Sequence, residues 1–134
     1  MTTETTMKLN HISIPSNDYI ATAEFFEKNL GCTIAARAPS ACILKRPGFD
    51  IVIENAAELA MEWPTNFHIG FELASVESVQ ELHDRFKDDG VEIEIAFFKH
   101  ARGSRFFCKA PGGLLLEINT RADAETQYRG TFDN

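Results

Sequence analysis

The chain has 134 residues, of which 44% are hydrophobic and 25% are charged, as is ordinary for a soluble globular protein. Its net charge is −7, so it lacks the basic footprint that nucleic-acid binding requires. No apolar run approaches the ~20 residues of a membrane span, and the polar start Met1–Thr6 indicates no secretory signal. The three cysteines are odd in number without C-x-x-C spacing, which favours reduced thiols and a cytoplasmic location.

The first half of the chain predicts one strand, one helix and three further strands. A strand over Lys8–Ile14 ends at Pro15, and an apolar stripe at helical spacing follows, with Asn17 or Asp18 as its N-cap. Gly31 stands where a helix C-terminal cap belongs. Turn residues then separate three segments of β character, which are Cys32–Ala38, Ala41–Lys45 and Asp50–Asn55.

The same order of elements begins again in the second half. Phe67–Leu73 alternates apolar and polar residues as a strand does, Ser75 suits a helix N-cap, and Gly90 ends that helix. Three β segments follow, which are Glu92–Lys99, Ser104–Lys109 and Leu114–Thr120. The polar segment Arg121–Asn134 is predicted to be a surface tail or a short arm. A repeat near 57 residues indicates two βαβββ modules, residues 8–55 and 66–120. We predict an α+β domain in which they form a cupped mixed sheet around a central site.

Four polar side chains recur in the two modules within otherwise apolar strands. Because alternate strand residues face opposite ways, their apolar neighbours pack toward the helices while the four face a shared trough. Buried carboxylates beside imidazoles are stabilised by a divalent cation, and this ligand set suits Fe, Mn, Ni or Zn with open coordination positions. A structural histidine or a solvent-facing glutamate is the alternative at each position. The four predicted metal ligands are His11, Glu54, His68 and Glu117.

A basic cluster in the second half offers a candidate substrate anchor. His100 and Arg105 lie near Lys99 and Arg102, beside a glycine-containing turn. One interpretation is a solvated basic loop. The other is that His100 and Arg105 bind an anionic or oxygen-rich substrate, since arginine grips carboxylates and phosphates with two hydrogen bonds.

The chain resembles the vicinal oxygen chelate superfamily over residues 8–120, in the stretches L-N-H-I-S-I, N-F-H-I-G-F-E-L, E-F-F-E-K-N-L-G and A-P-G-G-L-L-L-E-I. That group includes glyoxalase I, extradiol dioxygenases and bleomycin-binding proteins. The resemblance implies paired βαβββ modules, one divalent metal ion and a homodimer that often completes the cup across chains. It implies His11, His68 and Glu117 as metal ligands, with Glu54 where glyoxalase I has a further glutamate. The segment Ala110-Pro111-Gly112 departs from the acidic residues common at this turn.

Three functions follow from the residues and the resemblance. The first is a metal-dependent lyase or isomerase that acts on a small substrate with vicinal oxygens, in which Glu54 or Glu117 removes a proton beside a carbonyl. The second is an Fe(II) extradiol-type dioxygenase that uses only His11, His68 and Glu117 as ligands. The third is a non-catalytic, drug-binding resistance protein. Each predicts a small-molecule ligand and neither a nucleic-acid nor a membrane partner.

Overall fold

A computed structural model describes residues 6–59 and 61–129 of the chain. The chain divides into two compact units, Met1–Met61 and Glu62–Asn134. The first unit contains β1 (His11–Ser16), α1 (Tyr19–Asn29), β2 (Thr33–Arg37), β3 (Ala41–Lys45) and β4 (Asp50–Asn55). The second unit contains β5 (His68–Glu72), α2 (Val76–Asp88), β6 (Glu92–Phe98), β7 (Arg105–Lys109), β8 (Leu115–Asn119) and α3 (Thr126–Arg129). The predicted α+β class and the βαβββ order are therefore confirmed.

Each unit has a four-stranded mixed sheet with the same topology. The orders are β1-β4-β3-β2 and β5-β8-β7-β6, in which the first pair of each sheet is parallel and the others are antiparallel. A parallel pair needs a crossover connection, and α1 and α2 lie within those connections. Among the helices of the described residues, none has both the length and the hydropathy that a membrane span requires.

The helix-facing side of each sheet forms the core, because strand residues alternate between faces. In the first unit Ile51 and Ile53 of β4 are no more than 1% exposed, and α1, whose Phe26 is fully buried, contacts this strand. In the second unit Leu116 and Ile118, which flank Glu117, are equally buried. Edge-on contacts to the Phe106 ring, at centroid distances of 5.3 Å and 6.0 Å, join His83 and Phe86 of α2 to this core. The opposite face of each sheet carries the polar side chains of interest, together with apolar residues such as Val52 and Phe107.

The first strand extends past the proline that was expected to end it. Pro15 lies inside β1, which continues to Ser16. Proline has no N–H to donate, but β1 is an edge strand whose single neighbour is β4, so this position does not interrupt the sheet. The carbonyl of Ser16 still accepts a hydrogen bond from Ala56 N–H at 2.8 Å.

The predicted polar tail or short arm is ordered in its described part, where most residues are exposed. Residues 121–129 fold back onto the second unit, and residues 130–134 lie outside the described range. The Asp123 carboxylate accepts hydrogen bonds from the backbone N–H and the hydroxyl of Ser104, at 2.9 Å and 2.6 Å. Ala124 is buried, and the Arg129 guanidinium donates to two backbone carbonyls of the same segment.

Burial controls the chemistry of the three cysteines, none of which is more than 4% exposed. Burial raises the pKa of Cys108 to about 12, and it also raises the pKa values of Cys32 and Cys42. Since the thiolate is the reactive form, we expect no alkylation by iodoacetamide in the native protein at pH 8 and three alkylated thiols in denaturant. Mass spectrometry of the labelled protein measures both numbers. A native chain that gains a label within minutes contradicts this burial.

Candidate metal and substrate site

The position of the His68 ring fixes which of its nitrogens carries a proton. The chain enters β5 through Asn66, which has a positive φ of 66°, a conformation that asparagine tolerates better than most residues. The Asn66 carbonyl lies 2.7 Å from His68 Nδ1. Because a carbonyl oxygen only accepts, Nδ1 carries the proton and donates it. In the neutral ring the lone pair is therefore on Nε2, which lies 3.5 Å from Glu117 Oε1.

Glu117 lies beside His68 on the polar face of the second sheet and is almost buried. Its Oε1 accepts a hydrogen bond from Arg105 Nη1 at 3.1 Å, and its Oε2 accepts one from Asn119 Nδ2 at 2.6 Å. Arg105 is 5% exposed and also donates from Nε to the Gly103 carbonyl at 3.0 Å. Burial lowers the pKa of Arg105, and the charge of Glu117 opposes that shift. This pair therefore holds two opposite charges in the protein interior.

The separation of His68 and Glu117 is compatible with both side chains binding one divalent ion. Typical metal–nitrogen and metal–oxygen distances place two tetrahedral ligands about 3.4 Å apart, close to the observed 3.5 Å. The Nδ1 hydrogen bond of His68 to a carbonyl is also the usual outer-shell support of a metal-binding histidine. Among the described residues, no group of three or more His, Cys, Asp or Glu side chains is arranged to hold a metal ion. The second unit thus supplies two of the predicted ligands.

The other predicted histidine has the same tautomer as His68. His11, at the start of β1, lies with Nδ1 2.6 Å from the side-chain oxygen of Asn10. An amide oxygen accepts, so Nδ1 donates and Nε2 keeps its lone pair. His11 is exposed on the face of the first sheet that is opposite to α1.

Glu54 shares the face of His11 but lies at the other end of the strand pair. His11 is opposite Asp50, whereas Glu54 is opposite Pro15, four residues further along. That offset corresponds to about 13 Å along the strands. The structure therefore does not bring His11 and Glu54 together within the first unit.

The strand registers also show that the two glutamates are not equivalent. In the β5/β8 pair, Glu117 lies opposite Gly70, two residues after the histidine that begins β5. The corresponding pair in the first unit is Ser13 and Val52. The register position of Glu117 is thus occupied by Val52, an apolar residue.

A cavity of about 370 Å³ opens on the polar face of the second sheet. Its lining carries three guanidinium groups and two carboxylates, which leaves one excess positive charge in a chain of net charge −7. Glu72 forms an ion pair with Arg121. The lining residues are His68, Gly70, Glu72, Arg102, Arg105, Glu117, Asn119 and Arg121.

The two predicted substrate anchors differ in their relation to this cavity. Arg105 lines it, and its charge is paired with Glu117. His100 is exposed and outside the lining, and its Nδ1 accepts a hydrogen bond from the backbone N–H of Arg102 at 3.1 Å. Direct substrate contact by His100 stays a prediction, and its observed contact orders the turn that carries Arg102.

Besides Gly70 and Glu72, which share the strand face of His68, three lining residues were not identified as site residues from the sequence. Asn119 could have been found by strand alternation, because it follows Glu117 by two positions and shares its face. Arg102 and Arg121 lie in connections outside the strands, where no periodicity predicts the direction of a side chain. No sequence signal therefore places these two arginines at one cavity.

Comparisons with known proteins agree with this architecture. The family model described as Glyoxalase/Bleomycin resistance protein/Dioxygenase superfamily matches residues 8–118. A structure from Bacillus cereus, described as a possible glyoxalase, is 28% identical with a TM-score of 0.73, covering 85% of this chain and 99% of that one. The fosfomycin resistance protein FosX from Listeria monocytogenes is 20% identical with a TM-score of 0.76, covering 93% and 99%. The search of curated proteins found no match.

A lactoylglutathione lyase from Agrobacterium tumefaciens has the same fold at 13% identity, with a TM-score of 0.68 and coverage of 87% of this chain and 96% of that chain. At this identity the likeness concerns the fold alone.

Proposed function

The chain belongs to the glyoxalase/bleomycin resistance protein/dioxygenase superfamily, and on that premise we propose that it is a divalent-metal enzyme of the lyase or isomerase type. Its substrate is a small, oxygen-rich molecule with two neighbouring oxygens. The metal, which is Ni, Zn, Mn or Fe, is held by His68 and Glu117, with His11 as third ligand. We also propose that the protein forms a homodimer.

One observation carries the proposal: the His68 lone pair faces a carboxylate. With Nδ1 donating to the Asn66 carbonyl, a neutral His68 presents the Nε2 lone pair to Glu117 Oε1 at 3.5 Å, and these two electron-rich atoms repel unless a proton or a metal ion lies between them. We propose that a divalent ion fills this position, because 3.5 Å is close to the spacing of two ligands on one metal. His11 has the same tautomer, so both histidines have Nε2 available for a metal.

Each group of the site has a separate role in the proposed proton transfer. A bound divalent ion would act as a Lewis acid that stabilises negative charge on the substrate oxygens. Arg105 and Asn119 hold the Glu117 carboxylate in place from one side. The proton from the substrate carbon goes to Glu117, because Glu54 lies about 13 Å from His11 along the strands, beyond the reach of a general base. Glu117 already accepts hydrogen bonds on both oxygens, so it must first leave one of these partners.

Metal loading tests the proposal without knowledge of the substrate. After incubation with Ni²⁺, Zn²⁺ or Mn²⁺ and desalting, inductively coupled plasma mass spectrometry should find one ion per chain. His11→Ala and His68→Ala should each weaken binding at least about 100-fold, since a lost ligand costs as much as the largest outer-shell effects or more. Glu54→Gln should retain the ion, because Glu54 lies about 13 Å from His11 along the strands.

His100→Ala is the matched control, because it removes an exposed imidazole that lies outside the cavity lining. It should keep the affinity of the unchanged chain. If the unchanged chain retains no ion after incubation and desalting, the proposal is contradicted. It is also contradicted if His68→Ala binds the metal as tightly as His100→Ala.

An Fe(II) extradiol-type dioxygenase is the second candidate, and the strand register favours it. Two histidines and one carboxylate are the ligand set of many non-haem iron oxygenases, and Glu54 is remote from His11. The charged lining of the cavity suits an aromatic ring less well than a small polar molecule. Yellow ring-fission product from catechol and Fe(II) would select the dioxygenase, and its absence would count against it.

A further inference from the structure

We infer that Arg105 competes with the metal ion for Glu117 and thereby lowers the metal affinity of the site. The inference rests on the proposed function, because it concerns the ion that His68 and Glu117 would bind. It depends on one oxygen atom of Glu117, which the guanidinium of Arg105 and the imidazole of His68 both approach.

The oxygen of Glu117 that faces His68 is the oxygen that Arg105 already holds. Glu117 Oε1 lies 3.5 Å from His68 Nε2 and accepts a hydrogen bond from Arg105 Nη1 at 3.1 Å. The other oxygen, Oε2, accepts a hydrogen bond from Asn119 Nδ2 at 2.6 Å. An ion bound by His68 and Glu117 through Oε1 would therefore have to share that oxygen with a guanidinium or displace it.

Arg105 is held beside Glu117 by contacts that do not involve the carboxylate. It is 5% exposed, and its Nε donates a hydrogen bond to the Gly103 carbonyl at 3.0 Å. Its backbone is paired with Asn119 in the β7/β8 ladder. Because a guanidinium is not deprotonated in proteins, a positive charge stays next to Oε1 when a cation arrives.

The direction of the effect separates competition from a purely structural role of Arg105. A fixed positive charge beside a ligand oxygen repels a cation and weakens its binding. If Arg105 only kept Glu117 in its orientation, its removal would loosen the carboxylate and weaken metal binding, as the loss of other outer-shell partners does. If Arg105 competes, its removal leaves a buried carboxylate without its partner, and the ion binds more tightly.

Zinc titration of the full-length, EDTA-treated and desalted chain by isothermal titration calorimetry measures this direction. Arg105→Met should bind Zn²⁺ at least about tenfold more tightly than the unchanged chain, because charges in contact within a protein interact by more than the energy of one decade in affinity. Arg105→Lys keeps a positive charge and should stay within about threefold of the unchanged chain.

Arg102→Met is the matched control, because it removes the same type of charge from the same cavity lining at a residue that forms no ion pair with Glu117. Arg102 is exposed, so solvent screens its charge, and the zinc affinity should change by less than about threefold.

The stability of Arg105→Met provides a second measurement. The metal-free variant should unfold at a lower denaturant concentration than the unchanged chain, because its buried carboxylate is uncompensated. Zn²⁺ should then raise the midpoint of the variant by more than it raises that of the unchanged chain, since a ligand stabilises the folded state more when it binds more tightly. An Arg105→Met chain that stays unfolded in saturating Zn²⁺ contradicts the inference, because the ion then does not replace the charge of Arg105.

The outcomes separate this inference from the proposed function. Equal or weaker zinc binding by Arg105→Met overturns the inference and leaves the metal site intact if the unchanged chain binds one ion. Binding by Arg105→Lys as tight as that by Arg105→Met also overturns it, because charge is then not the cause. Zinc bound by Arg105→Met alone supports the inference and counts against the metal site of the unchanged chain, and zinc bound by neither contradicts both.

Discussion

Replacing Gly103 by alanine should lower the free energy of unfolding by more than about 4 kcal/mol, in the range reserved for severe backbone conflicts. Gly103 has a φ of 111°, which L-residues rarely adopt, and an added Cβ would lie 1.7 Å from the Thr120 carbonyl oxygen. Gly103 belongs to the backbone that precedes β7 and Thr120 to the backbone that follows β8, so neither can move aside as a flexible side chain would. Denaturant unfolding, or the loss of folded protein on expression, measures the effect.

Gly90→Ala is the matched control for backbone strain. Gly90 also has a positive φ, of 80°, but an added Cβ would meet no atom within 4 Å. We expect a cost of about 1–2 kcal/mol, which is the strain of a left-handed residue alone. If Gly103→Ala and Gly90→Ala lower the free energy of unfolding equally, the close contact between Gly103 and the Thr120 carbonyl is contradicted.

Removing either charge of the Arg105–Glu117 pair should destabilise the protein by about 3–5 kcal/mol. Both side chains are buried, so Glu117→Gln leaves an uncompensated guanidinium and Arg105→Met leaves an uncompensated carboxylate. Glutamine keeps the shape of Glu117 and an oxygen for Asn119 Nδ2. The double variant should therefore lose less stability than the two single variants added together, and a double-mutant cycle in denaturant measures this coupling.

Lys45 and Asp50 provide the comparison for this cycle. Their ion pair is shorter, at 2.8 Å, but the side chains are 60% and 30% exposed. Screening by water should reduce their coupling to less than about 1 kcal/mol. Coupling of the same size in the two pairs would show that the interior pair gains nothing from burial.

The alternation of residue types was sufficient to predict the sheet faces. Leu116 and Ile118 are buried around Glu117, as the period of two requires, and His68 shares the polar face with Gly70. Local chemistry also located the turn at Gly31, which has a φ of 71°. These features depend on near neighbours in the chain, so a single sequence contains the information.

Features that depend on register or on neighbouring strands were not predictable in this way. Pro15 stops a central strand but not an edge strand, and the sequence does not say which strand lies at the edge. The partner of Arg105 depends on the pairing of β7 with β8, which places Arg105 opposite Asn119. The β6/β7 pair contains register shifts, so counting residues from the turn does not give its alignment either.

The offset between Glu54 and Glu117 has a consequence for the history of the two modules. If both descend from one ancestral unit, the carboxylate at the Glu117 position was lost or never acquired in the first copy, where Val52 now stands. Restoring it by Val52→Glu would place an acidic side chain on the face of His11, two residues beyond its strand partner Asp50. The first module would then have a histidine and a glutamate in the same strand register as His68 and Glu117. Each module would carry one such pair, whereas at present only the second does.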